Sequence, residues 1–125
     1  MTQTEDNQTF QEIIPEGAVW DVEWTTPAML VVSRGPNAGI RFSLHQTVTT
    51  AGRDTRSDVF LDDVTVSRHH AEFRLERGEL HVVDIGSLNG TYVNDRPIDS
   101  AVLINGDRIQ MGKFRLVLLI RPATG

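Results

Sequence analysis

An all-β domain, built as an antiparallel sandwich or barrel behind an acidic tail, is the fold class that this sequence predicts. From Met29 onward, short runs rich in Val, Ile, Leu, Phe and Thr are punctuated by Gly, Asn, Asp and Pro, the pattern of strands and turns. No segment there carries a helical period over the length of a helix. The runs are short and closely spaced, so the strands must return on one another through tight connections, which favours antiparallel pairing.

Taken in order, strands are predicted near 29–34, 40–44, 47–51, 58–61, 70–76, 79–84, 91–94, 107–111 and 113–120, with shorter pieces between them. Alternation sets their facing. Ala71, Phe73 and Leu75 point inward while Glu72 and Arg74 meet water, and Phe114, Leu116, Leu118 and Ile120 form a second inward row. Val117 and Leu119 then face outward, either beneath a loop or at a partner surface. Asn105-Gly106 reads as a hairpin turn.

The 125 residues suffice for one hydrophobic core and hardly for two. We therefore expect a flexible tail over 1–28, one domain over 29–121 and a short end over 122–125. The net charge of −5 hides an asymmetry, since residues 1–28 carry −6 and the remainder +1. An acidic tail on a nearly neutral domain argues against nucleic acid, whose binders show a broad basic face. No apolar run reaches the ~20 residues that span a membrane. Cys is absent, which removes disulfides, thiolate metal sites and cysteine nucleophiles together. Thr2 to Ser33 holds no Lys or Arg, unlike a signal peptide, so a cytoplasmic location is expected; the protein is also expected to be soluble and monomeric. In the tail, Thr9 to Glu12 fits a capping box that Pro15 and Gly17 cut short. Trp20, Val22 and Trp24 alternate with Asp21 and Glu23 as an extended segment does.

Three pieces between strands carry chemistry: Gly52-Arg53, Ser67-Arg68-His69-His70 and Ser87-Leu88-Asn89-Gly90-Thr91. A doubly ionised phosphate presents strong acceptors, and its natural receptor is an arginine fork, a hydroxyl and backbone N–H groups converging from neighbouring loops. Each piece alone has a plain structural reading. Gly52-Arg53 is a turn residue and a solvated charge, Asn89-Gly90 a type I′ hairpin signal, and His70 a hydrogen-bonding residue that holds its loop. His69 and His70 face opposite sides of a strand and make no metal pair. Ser67 lacks the G-x-S-x-G elbow of a hydrolase, and Asp62-Asp63 reads as a strand end at a solvated turn. Neither an enzyme nor a cofactor is expected.

The order G-R, then S-R-x-H, then N-G, with a strand between consecutive pieces, resembles the forkhead-associated (FHA) domain signature across residues 29–120. Val32 to Gly39, Phe60 to Leu75 and Ser87 to Asn94 are similar to one subfamily of small actinobacterial regulators. The resemblance implies an eleven-stranded sandwich of two antiparallel sheets with binding loops at one end. It implies that Arg53 and Ser67 bind the phosphate of a phosphothreonine, that Arg68 reinforces it, and that Asn89 bonds the peptide backbone beside it. Gly52, His70 and Gly90 would shape the loops, and Leu88 and Thr91 would make secondary peptide contacts. A pocket for the γ-methyl would favour phosphothreonine over phosphoserine. The implied partners are phosphothreonine proteins, a Ser/Thr kinase and enzymes of 2-oxoglutarate and glutamate metabolism. Subfamily tails carry an autoinhibitory phosphoacceptor; here Thr9 and Thr4 stand in other contexts as candidate acceptors. A docking regulator independent of phosphate is the alternative.

Overall fold

The structure, a computed structural model, describes residues 28–121. The tail features at Thr4, Thr9 and Trp20 to Trp24 lie outside the described residues, as does the end over 122–125. Eleven strands follow in order: β1 Ala28–Arg34, β2 Arg41–Ser43, β3 Val48–Gly52, β4 Val59–Phe60, β5 Ala71–Glu76, β6 Glu79–Asp84, β7 Thr91–Val93, β8 Arg96–Ile98, β9 Ser100–Leu103, β10 Arg108–Met111 and β11 Phe114–Ile120. They form a six-stranded sheet in the order β2-β1-β11-β10-β7-β8 and a five-stranded sheet in the order β4-β3-β5-β6-β9. Among the described residues no helix is long and apolar enough to cross a membrane.

Pairing is antiparallel except between β3 and β4, which run parallel with Ala51 opposite Val59. That pair departs from the expectation of two purely antiparallel sheets. It arises because the chain leaves β3 at Gly52, turns through 53–58 and re-enters the sheet edge in the same direction. The expected strands appear within one or two residues, and β8 and β9 fill the stretch that the pattern left unassigned.

The core lies between the sheets. Leu30, Phe73, Ile109, Met111, Phe114, Leu116 and Leu118 are each fully buried, and burial of such a side chain is worth about 1.5–3 kcal/mol. The inward rows at Ala71 and Phe73 and from Phe114 to Leu118 are therefore as the alternation predicts. Leu75 is not, being 41% exposed. It pairs with Leu80 one step from the β5–β6 turn, near the end of the strand. On the outer face of the six-stranded sheet, Leu119 joins Met29 and Val31 in a separate buried cluster, with Val117 packed against it.

Two turns use left-handed backbone at consecutive residues, Arg77-Gly78 between β5 and β6 and Asn94-Asp95 between β7 and β8. These are the tight hairpins whose twist matches their strands. Asn105-Gly106 is not one of them. It connects β9 of one sheet to β10 of the other, and Asn105 Oδ1 instead accepts the Ile120 N–H at 2.7 Å.

Candidate functional site

β3 ends at Gly52, β5 begins at Ala71, β6 ends at Asp84, β7 begins at Thr91, and β10 and β11 meet at 112–113. With these directions, the loops 53–58, 61–70, 85–90 and 112–113 collect at one end of the sandwich. All three chemically distinctive pieces stand there.

The segment Thr65-Val66-Ser67 fastens them to one another. Arg53 N–H donates to the Ser67 carbonyl at 3.0 Å, and Arg53 Nε donates to the Val66 carbonyl at 3.1 Å. That second bond aims the guanidinium and leaves its two Nη groups without a protein acceptor among the described residues. Ser67 Oγ accepts the Leu88 N–H at 2.9 Å, so the hydroxyl hydrogen remains to be donated. Asn89 Nδ2 donates to the Thr65 carbonyl at 2.9 Å, which sets the amide's orientation and leaves Oδ1 and one N–H for a ligand. Bonds that span 13 to 24 residues of sequence thus fasten Arg53, Leu88 and Asn89 to three consecutive residues and bring Arg53, Ser67 and Asn89 together.

Gly52 makes that assembly possible. A Cβ there would lie 2.0 Å from the Arg68 carbonyl oxygen, so any side chain would push the 67–68 segment away from β3. His70 is completely buried. Its Nδ1 accepts the Ser67 N–H at 3.0 Å and its Nε2 faces the Gly90 carbonyl at 2.9 Å, which assigns the proton to Nε2. One imidazole thereby ties the Ser67 loop to the Asn89 loop. Gly90 adopts φ +89°. Its loop passes from β6 in one sheet to β7 in the other, so the Asn89-Gly90 pair is no hairpin turn.

Arg68, expected at the phosphate, holds Nη2 3.4 Å from Asp54 Oδ2 and keeps 65% of its side chain exposed. A solvated guanidinium so loosely tethered can swing to an incoming anion at small cost. His69 lies on the same side, with Nε2 3.9 Å from Asp54 Oδ2. Leu88 is 89% exposed. Thr91, expected as a peptide contact, has a fully buried side chain whose hydroxyl donates to Asp84 Oδ2 at 2.7 Å. It braces the loop from within.

Four residues of this network carry weight that the motif did not show. Asp84 accepts the N–H groups of Gly86 and Ser87 and the hydroxyls of Ser87 and Thr91. Burial works against its charge, but these bonds outweigh it and hold its pKa below the usual carboxylate value. Asp63 is depressed by the Thr65 hydroxyl and then the Thr65 N–H. Asp54 is depressed furthest, first by the Arg56 N–H and then by the Arg56 side chain. Thr65 is the fourth. The spacings Asp63-x-Thr65 and Asp84-x-Gly86-Ser87 are Asx-turn signals legible in the sequence, though their link to the site is not.

The arrangement offers unused donors and few acceptors: two guanidinium edges, a hydroxyl and a side-chain amide. It is suited to an acceptor-only anion borne on a peptide backbone. Among the described residues, no cluster of three or more His, Asp or Glu side chains is placed to hold a metal ion.

Comparison with known proteins agrees. The family model described as FHA domain matches residues 49–112. The chain is 66% identical over 112 residues to the glycogen accumulation regulator GarA of Mycobacterium tuberculosis, covering 88% of this chain and 69% of that protein. It is 57% identical over 122 residues to the oxoglutarate dehydrogenase inhibitor of Corynebacterium glutamicum, covering 98% of this chain and 79% of that protein. Among solved structures, it resembles one from work on phosphothreonine-dependent FHA domain interactions, with TM-score 0.72, 28% identity and coverage of 78% of this chain and 100% of that one. It also resembles Mycobacterium tuberculosis EmbR in complex with a low-affinity phosphopeptide, with TM-score 0.71, 28% identity and coverage of 80% and 26%. The chain belongs to the FHA domain family.

Proposed function

We propose that this protein is a non-catalytic, phosphothreonine-binding regulator that acts downstream of Ser/Thr protein kinases. Arg53 supplies both Nη groups to the phosphate, Ser67 donates its hydroxyl, and Arg68 closes from the rim. Asn89 bonds the peptide backbone beside the phosphothreonine and so fixes its register. The observation that carries this reading is the fastening of Arg53, Leu88 and Asn89 to Thr65-Val66-Ser67, with donors of Arg53, Ser67 and Asn89 left unused. An anion at that point gains charge-assisted hydrogen bonds without reorganising the loops.

The names of the relatives support a target among enzymes that consume 2-oxoglutarate, with 2-oxoglutarate dehydrogenase the first candidate. A cytoplasmic monomer fits such a role. Titration of the isotopically labelled protein with a phosphothreonine peptide tests the assignment. Amide shifts are expected at residues 53, 67 and 88–90, and shifts confined to any other face contradict it.

A second reading, docking onto a protein surface without phosphate, is favoured by one observation. Val64 and Leu88 are 87% and 89% exposed on the loops that carry the site, and apolar side chains so placed are suited to a partner surface. Capture of unphosphorylated 2-oxoglutarate dehydrogenase by Arg53→Ala as well as by wild type is the outcome that separates this reading from the first.

A further inference from the structure

Thr65 has a side chain that the phosphate chemistry does not use, yet every polar atom of the residue is engaged. Its N–H donates to Asp63 Oδ2 at 2.9 Å, and its hydroxyl donates to the same carboxylate oxygen. The hydroxyl oxygen also accepts the Lys113 N–H at 3.0 Å, across 48 residues of sequence. Its carbonyl holds Asn89 Nδ2. The β10–β11 turn presses directly on this residue. A Cβ at Gly112 would lie 2.3 Å from Thr65 Oγ1 and 2.8 Å from the Thr65 carbonyl oxygen.

Asn89 itself is exposed. Without a fixed acceptor, its amide would rotate freely and would have to be ordered at each binding event, which lowers affinity. The Thr65 carbonyl removes that freedom only if Thr65 is itself immobile. What immobilises it is the pair of hydroxyl bonds, one within its own loop and one to the turn at 112–113.

We propose that Thr65 is a positioning residue: its hydroxyl, clamped between Asp63 and the Gly112-Lys113 turn, fixes the Asn89 amide in the orientation that meets a bound peptide's backbone. The proposal rests on the phosphopeptide reading of the site. It makes the β10–β11 turn part of the specificity machinery.

Thr65→Val removes the hydroxyl, Thr65→Ser keeps it, and Gly112→Ala pushes on it from the far side. Three quantities are read by NMR on the full chain: the Asn89 side-chain amide resonances without ligand, affinity for a phosphothreonine peptide, and affinity for inorganic phosphate, which has no backbone for Asn89 to meet. Thr65→Val is expected to shift the Asn89 resonances, to weaken the peptide about tenfold and to leave inorganic phosphate within about twofold. Thr65→Ser should match wild type in all three, and Gly112→Ala should shift the same Asn89 resonances. Equal weakening of peptide and phosphate would mean a merely structural role and would overturn the proposal, as would unshifted Asn89 resonances or undiminished peptide affinity in Thr65→Val. Should wild type bind no phosphopeptide, the functional reading fails, and the Asn89 resonances in Thr65→Val and Gly112→Ala alone decide the positioning claim.

Discussion

The two ends of the sandwich solve the same polar problem differently. At the end holding the 94–95 and 104–107 turns, the network is closed. Asp107 is 8% exposed and accepts the Asn94 amide and the Ile104 N–H on its two oxygens. Asn94 Oδ1 in turn accepts the Arg108 N–H, so each of these side chains ends on a protein partner. At the 65–70 and 85–90 end, the same kinds of bond leave a remainder. Arg53, Ser67 and Asn89 each spend one polar group on a neighbouring loop and hold another ready. The bonds at one end close on one another within the fold, and those at the other leave charged and polar donors for the proposed ligand.

This contrast is broken or sharpened by a graded set of substitutions. The largest effect on stability is expected for Gly52→Ala, where the new Cβ meets a backbone oxygen that cannot step aside. Overpacking of this kind costs about 1–3 kcal/mol or more, and thermal melts and peptide titration should both register it. Ser67→Ala removes the hydroxyl proposed to donate to phosphate, a charge-assisted bond worth about 1.5–3 kcal/mol. Calorimetry should show affinity falling on the order of 10- to 100-fold while the melting temperature changes little. Asp107→Ala is expected to do the reverse. It strands the Ile104 N–H and the Asn94 amide, lowering stability by about 1–2 kcal/mol and leaving peptide affinity within about twofold.

The smallest effect concerns acid. Asp54, Asp63 and Asp84 at the open end all have pKa values below the ordinary 3.8. On acidification the unfolded chain therefore takes up protons before the folded one. The stability these carboxylates contribute is complete above about pH 5 and is lost as pH falls toward their depressed folded values. Denaturation curves between pH 7 and pH 3 should show this loss, and Asp84→Asn should flatten it.

Much of the fold and the core of the candidate site are legible in the sequence, because both are written in local patterns. Alternation from Phe114 to Leu118 is strong enough to fix facing, and the joint spacing of Gly52-Arg53, Ser67 to His70 and Asn89-Gly90 marks the loop end. Other features depend on partners distant in the chain. β8 and β9 escape notice because Arg96–Ile98 carries a Pro in its middle and Ser100–Leu103 is short, so neither shows a full period. Leu75 follows the inward alternation, but no local signal says that it stays exposed. Asn105-Gly106 carries a hairpin dipeptide and makes a crossing between sheets, since pairing of β9 with β6 overrides the turn preference. The role of Thr65 depends on an amide 48 residues away, and the burial of Thr91 on a carboxylate seven residues before it. No spacing rule reports contacts of that kind.

On the proposed function, the unused Nη groups of Arg53 await a phosphate on threonine. Calorimetric titration of wild type and Arg53→Ala with one peptide in phosphothreonine and unphosphorylated forms tests it most directly. Binding is expected only for wild type with the phosphorylated peptide, with a loss of about 3 kcal/mol or more in Arg53→Ala and an unchanged melting temperature. Equal binding of both peptide forms, or undiminished affinity in Arg53→Ala, would contradict it.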